Sequence, residues 1–177
     1  SALLYLVIFT DKLTYANNRI SGWLDPFSPA AGVDTWQTRQ GLYAIGSGGV
    51  LGLGLGNSRQ KYLYIPEPQN DFIFSVVCEE LGFIGAIFIL LLFALLVWRG
   101  MIIAIRAKDK FGMLLGIGLT AQVGLQVILN ISVVTNTIPN TGISLPFFSY
   151  GGTSLMMLLA QMGVILSISR SSHMQKN

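Results

Sequence analysis

The chain has 177 residues, of which 52% are hydrophobic and only 11% charged, and its mean hydropathy is +0.61. That balance is too apolar for a water-soluble domain of this length and places the chain in a bilayer. The formal net charge of +3 is carried at helix ends, which argues for orientation in a membrane and against nucleic-acid binding, and the single cysteine, Cys78, rules out an internal disulfide or a cysteine-based metal site.

Residues 1–10 are apolar but too short to span, and they lack both a basic leader region and a small-residue cleavage site. They read as the outer end of a helix whose start lies upstream, so the chain is expected to be a C-terminal piece. Residues 11–71 form a long segment carrying Trp23, Trp36, Tyr43, Tyr62 and Tyr64, side chains suited to the headgroup zone, and it is expected to lie on the membrane. Within it Asp25-Pro26-Phe27-Ser28-Pro29 predicts a turn and Asp34 to Leu42 a short helix. The six glycines between Gly46 and Gly56 allow close backbone approach and positive φ. They fail as a nucleotide loop. Each G-x-G start has Leu51, Asn57 or Arg59 where a third glycine belongs, and no Gly-Lys-Ser/Thr follows. A flexible, tightly packed cavity wall is the better reading.

Three stretches are apolar enough to cross a hydrocarbon core about 30 Å thick, which takes roughly 20 residues. The first transmembrane helix is expected over 72–98 around the run Leu81 to Trp98, the second over 111–134, and the third over 153–169. Arg99, Arg106, Lys108 and Lys110 mark 99–110 as a cytoplasmic loop, and Arg170 and Lys176 mark 170–177 as a cytoplasmic tail. The uncharged loop 135–152 is then outside, as is the long segment 11–71. The fold class is all-α: a polytopic transmembrane helical bundle of about four helices with a large extracytoplasmic loop.

Chemistry concentrates at the outer face. The polar, proline-stiffened stretch Arg59 to Asp71 runs directly into a membrane helix, where charges are costly and are kept when they pair with each other or with a substrate. Asp71 stands where that helix begins, so a plain N-cap or first-turn role competes with a functional one. On a continuous helix Glu79 and Glu80 lie about 80° and about 180° around from Asp71. They cannot both share its cavity, and a structural role is favoured for the pair. The loop from Pro139 to Thr153 predicts a structured re-entrant or interfacial turn, because irregular backbone at membrane depth survives only when buried in protein or facing a wet cavity. Gln122, Gln126, Asn130, Asn136 and Gln161 fit hydrogen bonds between helices before they fit a ligand. His173 reads as a solvated tail residue.

Several stretches together resemble the signatures of the SEDS (shape, elongation, division and sporulation) family of FtsW, RodA and SpoVE. The matching residues are Gly41 to Gly49, Ser58-Arg59-Gln60-Lys61, Pro66 to Phe74, Glu79-Glu80-Leu81-Gly82, Thr141-Gly142-Ile143, Leu145-Pro146-Phe147 and Ser149-Tyr150-Gly151-Gly152. Their wording is closer to the FtsW/SpoVE branch than to RodA. The resemblance implies a ten-helix protein of the bacterial cytoplasmic membrane. Such a protein polymerises lipid II into a growing glycan strand at the outer face, beside a class B penicillin-binding protein, in division, cell shape or sporulation. The family's essential aspartate falls on Asp71, and earlier helices contribute to the cavity, so this stretch alone is not expected to suffice for activity.

In the mechanism this implies, Asp71 takes the proton from the attacking sugar hydroxyl. Lys61 or Arg59, with or without a divalent cation such as Mg or Mn, receives the departing pyrophosphate. Glu67, Ser149, Tyr150 and Gly151 are expected to contact substrate, and no residue is assigned as a metal ligand. The competing classes are a lipid II flippase, which should show polar or broken elements at mid-membrane, and a non-enzymatic scaffold of a cell-wall assembly.

Overall fold

The computed structural model describes residues 17–27, 35–58 and 71–173. Among these residues every regular element is a helix. Residues 17–24 form a short helical stretch, followed by α1 (Trp36–Gly48), α2 (Ile73–Ile105), α3 (Lys110–Val134) and α4 (Gly152–His173). The expected turn at 25–29 is seen at Pro26 and Phe27 before the described residues stop. The last three helices are long and apolar enough to cross a membrane.

α1 runs six residues past the Leu42 end expected from sequence, because Gly41 and Gly48 make close contacts and do not break it. Gln40, Gly41, Ala44 and Gly48 are its buried residues. A Cβ at Gly41 would stand 2.7 Å from the Phe72 ring, and one at Gly48 would stand 2.0 Å from the Cys78 carbonyl oxygen. Only glycine lets α1 lie this close to α2.

α2 runs to Ile105, past the Trp98 end expected from the apolar run. The hydrocarbon boundary fixes where charged tips must emerge and leaves helical hydrogen bonding free to continue, so Arg99 rides on the last turns of α2. The turn into α3 is short, and Asp109 caps α3 by accepting from the Gly112 N–H at 2.9 Å. Small residues bring the two helices together there. A Cβ at Gly116 would stand 2.8 Å from that of Ala104, and one at Gly100 would stand 2.7 Å from Thr120 Oγ1, the close approach that substitutes for a hydrophobic driving force in lipid. Nearer Asp71 the core is larger, joining Phe72, Phe74 and Cys78 to Val133 and Val134 of α3 and to Leu145 of the following loop. Phe83, Ile84, Ile87, Phe88, Leu91, Leu92 and Leu95 form an exposed stripe at helical spacing, suited to hydrocarbon or to further helices.

Within the span, α2 is interrupted at Gly82, whose φ of 68° and ψ of −170° are not helical. In an unbroken helix the N–H groups of Phe83 and Ile84 would donate to the carbonyls of Glu79 and Glu80. Here all four groups bond instead to the glycine run. Phe83 N–H donates to Gly49 O at 2.9 Å and Ile84 N–H to Val50 O at 3.3 Å. The Glu79 carbonyl accepts from Leu53 N–H at 2.9 Å and the Glu80 carbonyl from Gly54 N–H at 3.0 Å. A Cβ at Gly82 would lie 2.3 Å from Gly52 N, and one at Gly52 would lie 2.2 Å from Glu80 O. The close approach expected of the glycines is therefore made against the break in α2.

Gly82→Ala adds both a positive-φ strain and an overlap with backbone that cannot yield, and should cost at least about 2 kcal/mol. The expected outcome is a lower thermal unfolding midpoint for the protein in lipid nanodiscs. Gly46→Ala, inside α1 with a Cβ that meets nothing within 4 Å, should leave the midpoint unchanged or raise it slightly.

Candidate functional site at the Asp71 end of the bundle

Asp71 lies one residue before the N-cap position of α2. That position is held by Phe72, with no side-chain cap hydrogen bond, and the first turn contains no acidic residue. Asp71 therefore stands just outside both the N-cap position and the first turn. It is part-buried, and its Oδ2 would stand 3.5 Å from a Cβ built on Gly142, the central residue of the Thr141-Gly142-Ile143 signature. Gly142 stands at φ +69° and brings no side chain against the carboxylate.

The two segments are fastened by one side chain. Asn130, fully buried near the end of α3, donates from Nδ2 to Asp71 O at 2.9 Å and to Ile143 O at 2.7 Å. Its Oδ1 is buried without a hydrogen-bond partner. Sequence reasoning took Asn130 as a helix-to-helix contact. It instead serves backbone carbonyls in two irregular segments, a partner choice that only the fold reveals.

The loop from Thr135 to Gly151 folds back beside α2. Phe148 packs on Phe93 with ring centroids 6.0 Å apart, eleven residues past the Gly82 break and thus about 16 Å further along the helix. A tight turn closes its far side: Leu145 N–H donates to Ser149 Oγ at 2.8 Å and Ser149 N–H donates to Leu145 O at 3.1 Å. That turn holds Phe147 at φ 65°, a left-handed conformation costing a bulky residue about 1–2 kcal/mol. The Ser149 hydroxyl thus has a structural acceptor role here, Tyr150 is 79% exposed, and the Gly151 carbonyl accepts from Leu155 N–H at the start of α4. The short helix 17–24 is tied to the same loop. Trp23 Nε1 donates to Asn136 O and Asn136 Nδ2 to Trp23 O, both at 3.0 Å, while Arg19 donates to Asn140 O at 2.7 Å.

Glu79 and Glu80 separate. Glu79 is 1% exposed, and its Oε2 accepts a hydrogen bond from Ser58 Oγ, also buried. Glu80 is part-buried, with Oε1 lacking a hydrogen-bond partner. The angular relation to Asp71 expected on a continuous helix does not apply, since Asp71 lies in the turn before α2 begins. Arg59, Lys61 and Glu67 lie outside the described residues. Of the expected interhelical amides, Gln161 donates to Gln122 at 3.3 Å. Among the described residues no three His, Cys, Asp or Glu side chains gather where they could hold a metal ion.

Three apolar spans, a loop folded back beside the first of them and a part-buried carboxylate at the start of an interrupted helix define a multi-pass membrane protein with a polar site at one end. Comparison with known proteins gives the family. The model of the FtsW/RodA/SpoVE cell cycle proteins matches residues 1–174, and the chain belongs to that family. Stage V sporulation protein E of Bacillus subtilis is 51% identical over 158 residues, covering 89% of this chain and 43% of that protein. The probable peptidoglycan glycosyltransferase FtsW of Trichlorobacter lovleyi is 44% identical over 167 residues, covering 94% and 43% respectively. A solved structure described as "Structural coordination of polymerization and crosslinking by a peptidoglycan synthase complex" contains a chain matched with a TM-score of 0.67 at 28% identity. The match covers 97% of this chain and 48% of that one. The chain therefore spans less than half the length of these relatives.

Ser58→Ala removes a donor from a buried carboxyl oxygen and should destabilise the protein by about 1–3 kcal/mol. Ser58→Thr, which keeps the hydroxyl, should recover most of that loss. Thermal unfolding of both variants in nanodiscs checks this, and equal midpoints for Ser58→Ala and the parent would contradict it.

Proposed function

We propose that the full-length protein is a peptidoglycan glycosyltransferase that polymerises lipid II at the outer face of the cytoplasmic membrane, with Asp71 as its general base. The observation that carries this reading is the part-buried Asp71 carboxylate set against Gly142, at the start of a membrane helix, in a family whose curated members include probable peptidoglycan glycosyltransferases. In the reaction, Asp71 accepts the proton of the attacking sugar hydroxyl as that oxygen forms the new glycosidic bond. The bond from the anomeric carbon to the lipid pyrophosphate breaks, and the pyrophosphate leaves with the electron pair. Positive charge must meet that leaving group, and Arg59 and Lys61, which precede Asp71 in the polar stretch, are proposed to supply it.

Glu67, Tyr150 and Gly151 are proposed to line the path of the glycan, with Ser149 shaping the turn that presents them. A class B penicillin-binding protein is the proposed partner. Support comes from the likeness to a chain from a complex described as coordinating polymerization and crosslinking. Charge placement supports an extracytoplasmic active face, since Thr135 to Gly151 carries no charge while Arg106, Lys108, Asp109 and Lys110 surround the opposite turn.

Full-length protein reconstituted with its partner and labelled lipid II separates glycan growth from movement between leaflets and from neither. Asp71→Asn should abolish chain growth while leaving expression and partner binding intact, and retained growth would reject Asp71 as the base. For the active face, Tyr150→Cys in a Cys78→Ser background should react with a membrane-impermeant maleimide added outside intact spheroplasts. Labelling only after lysis would reverse the proposed orientation.

A further inference from the structure

Resting on the assignment of Asp71 as base, we propose that Asn130 is a positioning residue for the transfer reaction: its amide sets the Asp71 carboxylate against the Thr141-Gly142-Ile143 segment. Both peptide units that Asn130 holds flank the functional contact. One is the carbonyl of Asp71 itself, at 2.9 Å, and the other is the carbonyl of Ile143, next to Gly142, at 2.7 Å. Asp71 Oδ2 faces Gly142, 3.5 Å from where a Cβ on that residue would stand. Movement of either carbonyl would therefore shift the base relative to the loop it faces.

The side chain suits this task better than it suits simple satisfaction of backbone. A carboxamide carries two N–H donors on one nitrogen, so a single planar group reaches two carbonyls from different segments. The backbone bond from Ser75 N–H ends on Phe72 O and not on Asp71 O, which Asn130 serves instead. Ile143 O lies in irregular backbone at the end of a membrane span, where an unbonded carbonyl is costly. In return Asn130 leaves its own Oδ1 buried and unbonded, a cost that a merely space-filling residue would not carry. An apolar residue of similar size would pack in the core beside Val127, Val133 and Val134 without that cost, but would free both carbonyls.

Reacting groups tolerate little displacement, and a shift of about 1 Å remote from the chemistry can lower turnover about a hundred-fold. Asn130→Leu removes both donors, Asn130→Asp removes them at constant shape, and Asn130→Gln keeps the amide but moves it by one methylene. In full-length protein with its partner in nanodiscs, the folded fraction of each variant should show kcat on lipid II reduced by about a hundred-fold with KM little changed. Geometry has its own readout. Asp71→Cys with Gly142→Cys, in a Cys78→Ser background, should close a disulfide under mild oxidation, and adding Asn130→Leu should lower the yield sharply.

A residue that only stabilised the fold would lower the unfolding midpoint yet leave the kcat of folded protein and the disulfide yield as they were. That result in any two of the three variants would overturn the proposal. If the disulfide yield falls while neither Asn130→Leu nor Asp71→Asn affects chain growth, the positioning of residue 71 stands and its assignment as base fails. If Asp71→Asn is inactive and the disulfide yield is unchanged by Asn130→Leu, the base stands and the positioning role fails.

Discussion

The helical bonds given up at Gly82 and remade with the glycine run decide where the Asp71 end of this bundle can lie. A helix crossing hydrocarbon cannot leave two carbonyls and two N–H groups open. The break in α2 is tolerable because Gly49, Val50, Leu53 and Gly54 present complementary groups in the same register. The partnership requires backbone against backbone, with Gly48, Gly52 and Gly82 each at distances where a side chain would overlap a neighbouring main chain. What composition alone would pass off as a pliant linker is a fitted part of the span.

From that fixed point the remaining geometry follows in two directions. On one side the glycine run leads to Ser58, whose hydroxyl is held by the buried Glu79 just before the break. On the other side the first turns of α2 bring Asp71 under the loop after α3, where Asn130 binds both segments. The loop in turn is anchored by Phe148 on Phe93 and by the reciprocal pair of Trp23 and Asn136. The carboxylate proposed to meet a lipid-linked sugar thus belongs to a scaffold set by backbone pairing and one amide, and not to a free loop.

Much of this was legible in the residues. Apolar runs bounded by charges give the three spans, because hydrocarbon thickness imposes their length, and the signature stretches identify the family. The interruption at Gly82 was not legible: Glu79-Glu80-Leu81-Gly82 followed by an apolar run has the pattern of a continuous helix, and only the partner 30 residues earlier in the chain makes a break affordable. Asn130 was misread for a similar reason. An amide inside a span signals a hydrogen bond, yet whether its partner is a helix or two loop carbonyls depends on tertiary placement. The ends of α1 and α2 differ from expectation because glycine can serve packing, and because a helix need not stop where the lipid does.

The account stands or falls on a lipid-linked sugar meeting the Asp71 carboxylate beside Gly142. The most direct measurement is a cryo-electron microscopy map of the full-length protein in a nanodisc with an unreactive lipid II analogue. The account predicts acceptor-sugar density within hydrogen-bonding distance of Asp71, with the analogue's pyrophosphate on the same side of the membrane. Density for the saccharide at the opposite, charged turn between α2 and α3, or an Asp71 carboxylate closed off from it by protein, would contradict it.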